Sequence, residues 1–394
     1  MQEEEEEQDS LVCSDEARAP ACNISPLWGS SVTNAHNSSS VQKLSYASKV
    51  MMPTLLAAII MLTAACSPLY VLRSAYEEGK ILLAREPISE VIEDSSTAPE
   101  IREKLDLVRL AREYAINMNL TPKDSYTLYS HTDRKVLVWV VMGSAPDAFA
   151  PYIWWFPIVG SVPYKGFFDK EDALEQAAKL KADGYEYIVR GTDAFSTLGW
   201  FNDPILTTTL RHSETRVVNT VIHEIVHSTV WVPHHVDFNE SLANFVGSQA
   251  AVDFFKRHIK EEGDSFSILH KQAKRELVSE LEVAATVEQL YRELSKVYHS
   301  HASRETKLAL RKEVFARELV PLREKYPNLK ILREINNAEI LNYKIYMTRL
   351  HLFRELYDKH NGDWRAFITD VIHIAEKIEA RPLLDPFELV EDIL

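Results

Sequence analysis

The chain's pattern centres on Val217 to Val226, where Val217, Val218, Val221, Ile222, Ile225 and Val226 leave little polar surface on any side. A segment apolar almost all round is a buried helix. It is expected to end near Val232, because Pro233 follows and the residue before a proline avoids the α region. A short loop then leads to a second helix, Asp237 to Gly247. Upstream, Ser74 to Arg85 and Pro99 to Met118 show helical spacing with charged faces. Between Lys135 and Phe201 the period changes: Val136 to Val141 is a β-branched run that reads as a strand, and so does Tyr185 to Arg190. Asp169 to Asp183 reads as a helix closed by Gly184, while Ile153–Pro157 and Val162–Phe168 are aromatic, proline-punctuated segments suited to edge strands or loops. After Gly247 amphipathic runs cover 248–262, 264–300, 303–325, 331–360 and 364–378. The pattern predicts an α+β fold, mostly helical, with a small mixed sheet within 135–201 beside the 217–255 helices and a helical part over 256–394.

The N-terminal sixty-odd residues do not share this pattern. Residues 1–50 begin with the charge run Glu3 to Glu7 and continue as a Ser/Asn-rich stretch without periodicity, the composition of a disordered tail. Met51 and Met52 stand where translation would naturally start. Val50 to Leu72 carries no charge, with Lys43 and Lys49 before it and Thr63-Ala64-Ala65-Cys66 inside it. A basic start, an apolar middle and small residues at the end make a secretory signal, here over 51–66. Leu62-Thr63-Ala64-Ala65-Cys66 resembles a bacterial lipobox, with Thr63 where the commoner motif has Leu. The expectation is lipidation at Cys66 and a membrane-anchored protein of the cell envelope on the periplasmic side. An uncleaved membrane anchor competes, since the uncharged run is long enough to span; Pro53, Ser67 and Pro68 weaken that reading, and a buried core helix ranks third.

Composition adds two constraints. The 394 residues carry a formal net charge of −14, which argues against a nucleic-acid partner, since that would require a basic patch. The cysteines are Cys13, Cys22 and Cys66, with no C-x-x-C pair. A zinc ribbon or redox dithiol is therefore not expected. A body without thiols after Cys66 suits an oxidising compartment.

The buried helix carries chemistry. His223-Glu224-Ile225-Val226-His227 is an H-E-x-x-H motif. Residues four apart lie on one helix face, so His223 and His227 can offer imidazole nitrogens to one Zn²⁺, with Glu224 beside them. Zinc brings the pKa of bound water to about 7, where a carboxylate can take its proton. A catalytic zinc needs a third protein ligand and an open position. Glu240 is the candidate, brought back over the motif helix by the short connection. Two readings compete with it. Asp237 and Glu240 have capping-box spacing, and His234 and His235 follow Pro233 as rival ligands. The longer pattern H-E-x-x-H-x-x-G-x-x-H is absent, with Val230 in place of its Gly and Pro233 in place of its last His.

Taken together, Arg85-Glu86-Pro87-Ile88, Trp155 to Gly160, Tyr164-Lys165-Gly166-Phe167-Phe168, Ser196 to Pro204, the H-E-x-x-H motif and Phe238-Asn239-Glu240-Ser241 resemble a bacterial aminopeptidase family with an H-E-x-x-H site, whose members are often predicted lipoproteins. The likeness runs over most of the chain after Cys66. It implies a zincin-like, gluzincin-like fold, with one Zn²⁺ held by His223, His227 and Glu240, and Glu224 as general base. Two positions depart from the family. Phe195 stands where relatives tend to carry Tyr before the Ser-Thr-Leu-Gly run, so a hydroxyl available there to an oxyanion is missing. Ile225-Val226 replaces Leu-Ala, a volume-tolerant change.

The expected reaction is zinc-dependent hydrolysis of a peptide substrate through a zinc-bound water, with Glu224 as base, by an aminopeptidase. A zinc endopeptidase shares the chemistry. A membrane-tethered, metal-stabilised binding protein without catalysis is the alternative from another class, against which Glu224 argues. Oxyanion or substrate contacts are sought among Tyr164, Ser196, Thr197, His234 and His235. Asn239 is a candidate for orienting a ligand. Strand Tyr185 to Arg190 is a candidate for binding substrate backbone. No acidic residue stands out in the sequence as the anchor for a substrate amine.

Overall fold

In the computed structural model, residue 76 and residues 79–156, 160–192, 203–327 and 335–394 are described. They fall within one compact unit, Met61–Leu394. The fold is α+β and mostly helical. Its centre is a pair of helices, α5 (Glu214–Thr229) and α6 (Val236–Glu262), preceded by α1 (Ile88–Glu93), α2 (Pro99–Asn117), α3 (Lys170–Ala182) and the short α4 (Thr207–Leu210).

The apolar stretch that opens the sequence reading is the middle of the core. Val217, Val218, Val221, Ile222, Ile225 and Val226 are all fully buried. They join residues of α2, Phe238 to Phe255 of α6, and the C-terminal helices in one hydrophobic cluster. Burying apolar area on this scale is the dominant favourable term in folding. Helix α5 stops at Thr229 rather than near Val232. Ser228 Oγ and Thr229 Oγ1 both turn back to the Ile225 carbonyl, at 2.9 and 2.8 Å. Thr229 Oγ1 also accepts from Thr121 N at 2.8 Å. Such local side-chain bonds offer the backbone a way out of the helix, and Val230 is already extended.

Helix α6 runs well past Gly247, and Gly247 is the reason the two central helices lie so close. A Cβ there would stand 2.8 Å from the Asn219 carbonyl oxygen and 3.2 Å from His223 Cβ. Only a hydrogen in place of a side chain allows that approach. The pair is antiparallel, with His223 beside Glu240 at one level and Asn219 beside Ser248 at another.

Helix α7 (Asp264–His299) lies along α6, and α8 (Arg304–Lys325) packs against α7 in a second hydrophobic cluster. The run expected over 331–360 is two helices, α9 (Asn337–Met347) and α10 (Leu350–Lys359). They are separated at Thr348 and at Arg349, whose φ is 51°. Thr348 N donates to Ser241 Oγ at 2.9 Å, so the break is tied to α6 by a hydrogen bond that helix continuation would forfeit. Helices α11 (Trp364–Ala380) and α12 (Pro386–Ile393) close the central cluster.

The described strands form three small sheets rather than one mixed sheet. β1 (Arg85–Pro87), β2 (Leu128–Ser130) and β8 (Ile205–Leu206) make a mixed sheet, β1–β2 antiparallel and β2–β8 parallel. It lies partly outside 135–201. Within that span, β3 (Val138–Ser144) is flanked by β6 (Tyr164–Phe167) and β7 (Glu186–Thr192), antiparallel throughout. β4 (Trp154–Phe156) and β5 (Gly160–Val162) form a hairpin. The two faces of the β6–β3–β7 sheet are covered differently. Val141 packs on Ala173, Ala177 and Leu180 of α3, while Met142 and Ile188 pack on Ala338 of α9. Strand β7 is an edge strand among the described residues. No described helix is long and apolar enough to cross a membrane. The signal segment 51–66 and Cys66 lie outside the described residues.

Candidate metal centre

His223 and His227 project from one face of α5, and Glu240 comes from the first turns of α6. Their donor atoms form a near-equilateral triangle. The two Nε2 atoms are 3.2 Å apart, and Glu240 Oε2 stands 3.4 Å from His223 Nε2 and 3.6 Å from His227 Nε2. Four donors about 2.0–2.1 Å from a tetrahedral zinc are separated by about 3.3–3.4 Å along each edge. The triangle matches three corners of that tetrahedron, and two imidazoles with a carboxylate are a donor set that fits a divalent metal ion. His223, His227 and Glu240 make up the one group of potential metal ligands found among the described residues.

The rival readings of this region are resolved by position. Glu240 does not complete a capping box: α6 starts at Val236, its N-cap is His235, and Asp237 Oδ1 accepts only from its neighbour Phe238 N, at 3.0 Å. His234, in the left-handed region with φ 67°, is exposed, and His235 is half-buried; neither lines the cavity described below. Asn239 touches no ligand. Its Oδ1 accepts from Val232 N and its Nδ2 donates to Val232 O, both at 2.8 Å and buried. This closes the loop between α5 and α6 and fixes where the next residue, Glu240, enters the site. Tyr164 is exposed and does not line the cavity, although the Glu240 charge reaches its hydroxyl. Ser196 and Thr197, with Phe195, lie outside the described residues.

The site is electrostatically negative. Burial works against a proton on His223, but the hydrogen bond with Glu240 and the charges of Glu224, Glu240 and Glu280 outweigh it, raising the imidazole pKa. Burial pushes the Glu240 carboxyl up, and its contacts with His223 and His227 more than reverse this, leaving it well below the usual carboxylate range. An environment that draws a proton onto an imidazole also draws a divalent cation. The His227 ring is seated by aromatic contacts, edge-on to His223 at 4.9 Å and to Trp231 at 5.7 Å. Its buried Nδ1 has no partner among the described residues.

The triad opens into a cavity of about 840 Å³. Glu224 lines it beside His223, and among the described residues no hydrogen bond or ion pair occupies its carboxylate. The cavity wall also holds Arg190, at the end of the strand considered for substrate binding, and Tyr346, which the sequence did not single out. Arg190, on edge strand β7, donates from Nη2 to the Tyr346 hydroxyl at 3.1 Å and stacks on that ring at 5.1 Å. Burial raises the Tyr346 pKa, with the Glu240 charge adding to it and Arg190 opposing. Beyond the metal ligands, the facing surfaces of α5 and α6 carry Asn219, Asn244 and Ser248. These lie one turn before His223 and one and two turns after Glu240, a helical spacing visible in the sequence. Tyr346 and Glu280 come from distant helices and left no local signal.

Fold and site thus define an α+β protein whose two central helices present to a cavity three donors that could hold a metal ion. The chain belongs to the family described as "Putative aminopeptidase", whose model matches residues 69–382. Searches of the curated proteins and of the solved structures found no match.

Proposed function

We propose that the protein is a zinc-dependent aminopeptidase. The observation that carries this reading is the 3.2–3.6 Å triangle of His223, His227 and Glu240 donors with the Glu224 carboxylate, unpaired among the described residues, in the same cavity. His223, His227 and Glu240 would hold one Zn²⁺. When bound, the ion supplies Lewis acidity, polarising a carbonyl and making water acidic at neutral pH.

The chain's own groups do the rest. Glu224 accepts the proton of the attacking water and returns it to the leaving amine nitrogen. The Tyr346 hydroxyl, oriented by Arg190, donates to the oxygen on which negative charge develops, the task that Phe195 cannot perform. Strand β7, whose Tyr187 carbonyl is taken by Asn336 Nδ2 at 3.1 Å, puts Arg190, Gly191 and Thr192 on the cavity wall and there offers main-chain groups to an extended peptide.

Glu224→Gln keeps the shape of the side chain and removes its basicity. This variant is expected to bind zinc as the wild type does and to lose hydrolysis of a peptide library, and a chelator is expected to abolish wild-type turnover reversibly. Turnover that survives either treatment overturns the reading.

The lipobox-like Leu62–Cys66 supports anchoring of the mature protein in the cell envelope, facing the periplasm, through a lipidated Cys66. Mass spectrometry of the mature N-terminus tests this: a diacylated or triacylated Cys66 is expected, and an intact 1–65 segment contradicts it.

A further inference from the structure

Peptide hydrolysis at the metal needs no further acid, yet the cavity wall holds a carboxylate that the reaction leaves unused. Glu280, on α7, points into the same cavity. Asn244 Nδ2 donates to its Oε1 at 2.8 Å. Ser248 also bonds to it, and the Ser248 oxygen is itself engaged by Asn219 Nδ2 at 2.8 Å. The carboxylate is therefore aimed by a chain of side chains that starts on the motif helix, one turn from His223, and ends on α6, one and two turns from Glu240. One turn separates side chains by about 5–6 Å, so the aimed oxygen lies a single residue's reach from the metal donors.

A carboxylate held this way is costly. Burial raises its pKa, and the hydrogen bonds from Ser248 and Asn244 with the charges of His223 and Arg216 offset only part of that. No lysine or arginine forms an ion pair with it among the described residues. Buried charges are ordinarily paired, and the missing cation has a natural source in the substrate. The other two acidic residues on the wall are differently placed. Glu339 has the Arg190 charge and the Tyr343 hydroxyl beside it. Glu276 is exposed and accepts from Gln272 at 2.8 Å.

We propose that Glu280 holds the free α-ammonium group of the substrate's first residue and so confines the site to peptides with an unblocked N-terminus. This inference rests on the peptidase reading above and names the substrate class it would serve. A carboxylate–ammonium contact in a water-poor cavity is a charge-assisted hydrogen bond.

The test uses the full chain with zinc and matched peptides carrying a free or an acetylated N-terminus. Wild type is expected to cleave the free-amine peptide and spare the acetylated one. In Glu280→Gln, KM for the free-amine peptide is expected to rise about 10- to 100-fold. A second readout needs no turnover. Calorimetric binding to Glu224→Gln is expected to favour the free-amine peptide, and the double variant Glu224→Gln/Glu280→Gln is expected to lose that preference while binding the acetylated peptide unchanged. A free-amine preference that persists in the double variant, or an unchanged KM in Glu280→Gln, overturns the assignment and leaves the aminopeptidase reading standing. Amine-dependent binding without any peptide hydrolysis by wild type does the reverse.

Discussion

Gly247→Ala is the sharpest probe of how the site is held. The added Cβ would lie 2.8 Å from a backbone oxygen of α5 and 3.0 Å from Asn219 Oδ1. The first contact is about 0.6 Å short of ordinary van der Waals distance and cannot be relieved by a rotamer change, because the atom is main chain. Overpacking costs about 1–3 kcal/mol, and replacing a helical glycine by alanine returns about 1 kcal/mol, so the net destabilisation is about 0–2 kcal/mol. The effect on the site is larger than the effect on the fold. Helix α6 has to move away from α5 by about half an ångström, and metal sites tolerate about ±0.2 Å in ligand distance. Zinc affinity, measured by competition with a chromogenic chelator, is expected to fall about 10- to 100-fold, the range seen when a ligand's supports are disturbed. Thermal unfolding of the zinc-free protein should shift only slightly. A Gly247→Ala protein that is more stable than wild type and binds zinc equally well would refute the close approach of the two helices at this level.

Three further outcomes follow from the geometry. Tyr346→Phe removes the hydroxyl that faces the developing charge and is expected to lower kcat about 10²- to 10³-fold with little change in KM; steady-state kinetics on one peptide checks it, and equal losses in binding would point to a packing role instead. Asn239→Ala leaves the buried Val232 N–H without its acceptor, while the Val232 carbonyl keeps His235 N at 3.3 Å; it is expected to destabilise by about 1–3 kcal/mol in urea denaturation, with weaker zinc binding because Glu240 is the next residue. Glu280 gives the protein a pH signature. Its folded pKa is raised, so the folded state holds the proton more strongly than the unfolded one, and the metal-free protein loses stability as pH rises from below the unfolded value through the folded one. Glu280→Gln is expected to flatten that part of the curve and to be the more stable protein at pH 7, as denaturation at a series of pH values will show.

The convergence of His223, His227 and Glu240 was legible because helix periodicity is a local rule. Four-residue spacing alone places His223 above His227, and a short return loop limits how far Glu240 can stray. What the rule missed shows its range. The end of α5 was misplaced because Ser228 and Thr229 back-bond to Ile225, a competition that proline counting does not register. The 331–360 run was read as one helix because nothing in its apolar pattern reveals that Ser241 captures the Thr348 amide. The small sheet expected within 135–201 is present as β6–β3–β7, and the pattern missed only that β1 and β8 pair with β2 across long sequence separations and that β4 and β5 pair apart from it. Asn219, Asn244 and Ser248 were recoverable in principle as polar residues recurring at helical spacing on buried surfaces. Glu280 and Tyr346 were not, since only tertiary packing brings them to the cavity.

All three metal donors lie between residues 223 and 240, on neighbouring helices already clasped by the Asn239–Val232 bonds. An ion bound there bridges a short loop of chain, and the entropy removed by closing a loop grows only slowly from a small base. On the reading proposed above, the cation would be a late passenger rather than a rivet, able to leave and return without the chain passing through the denatured state.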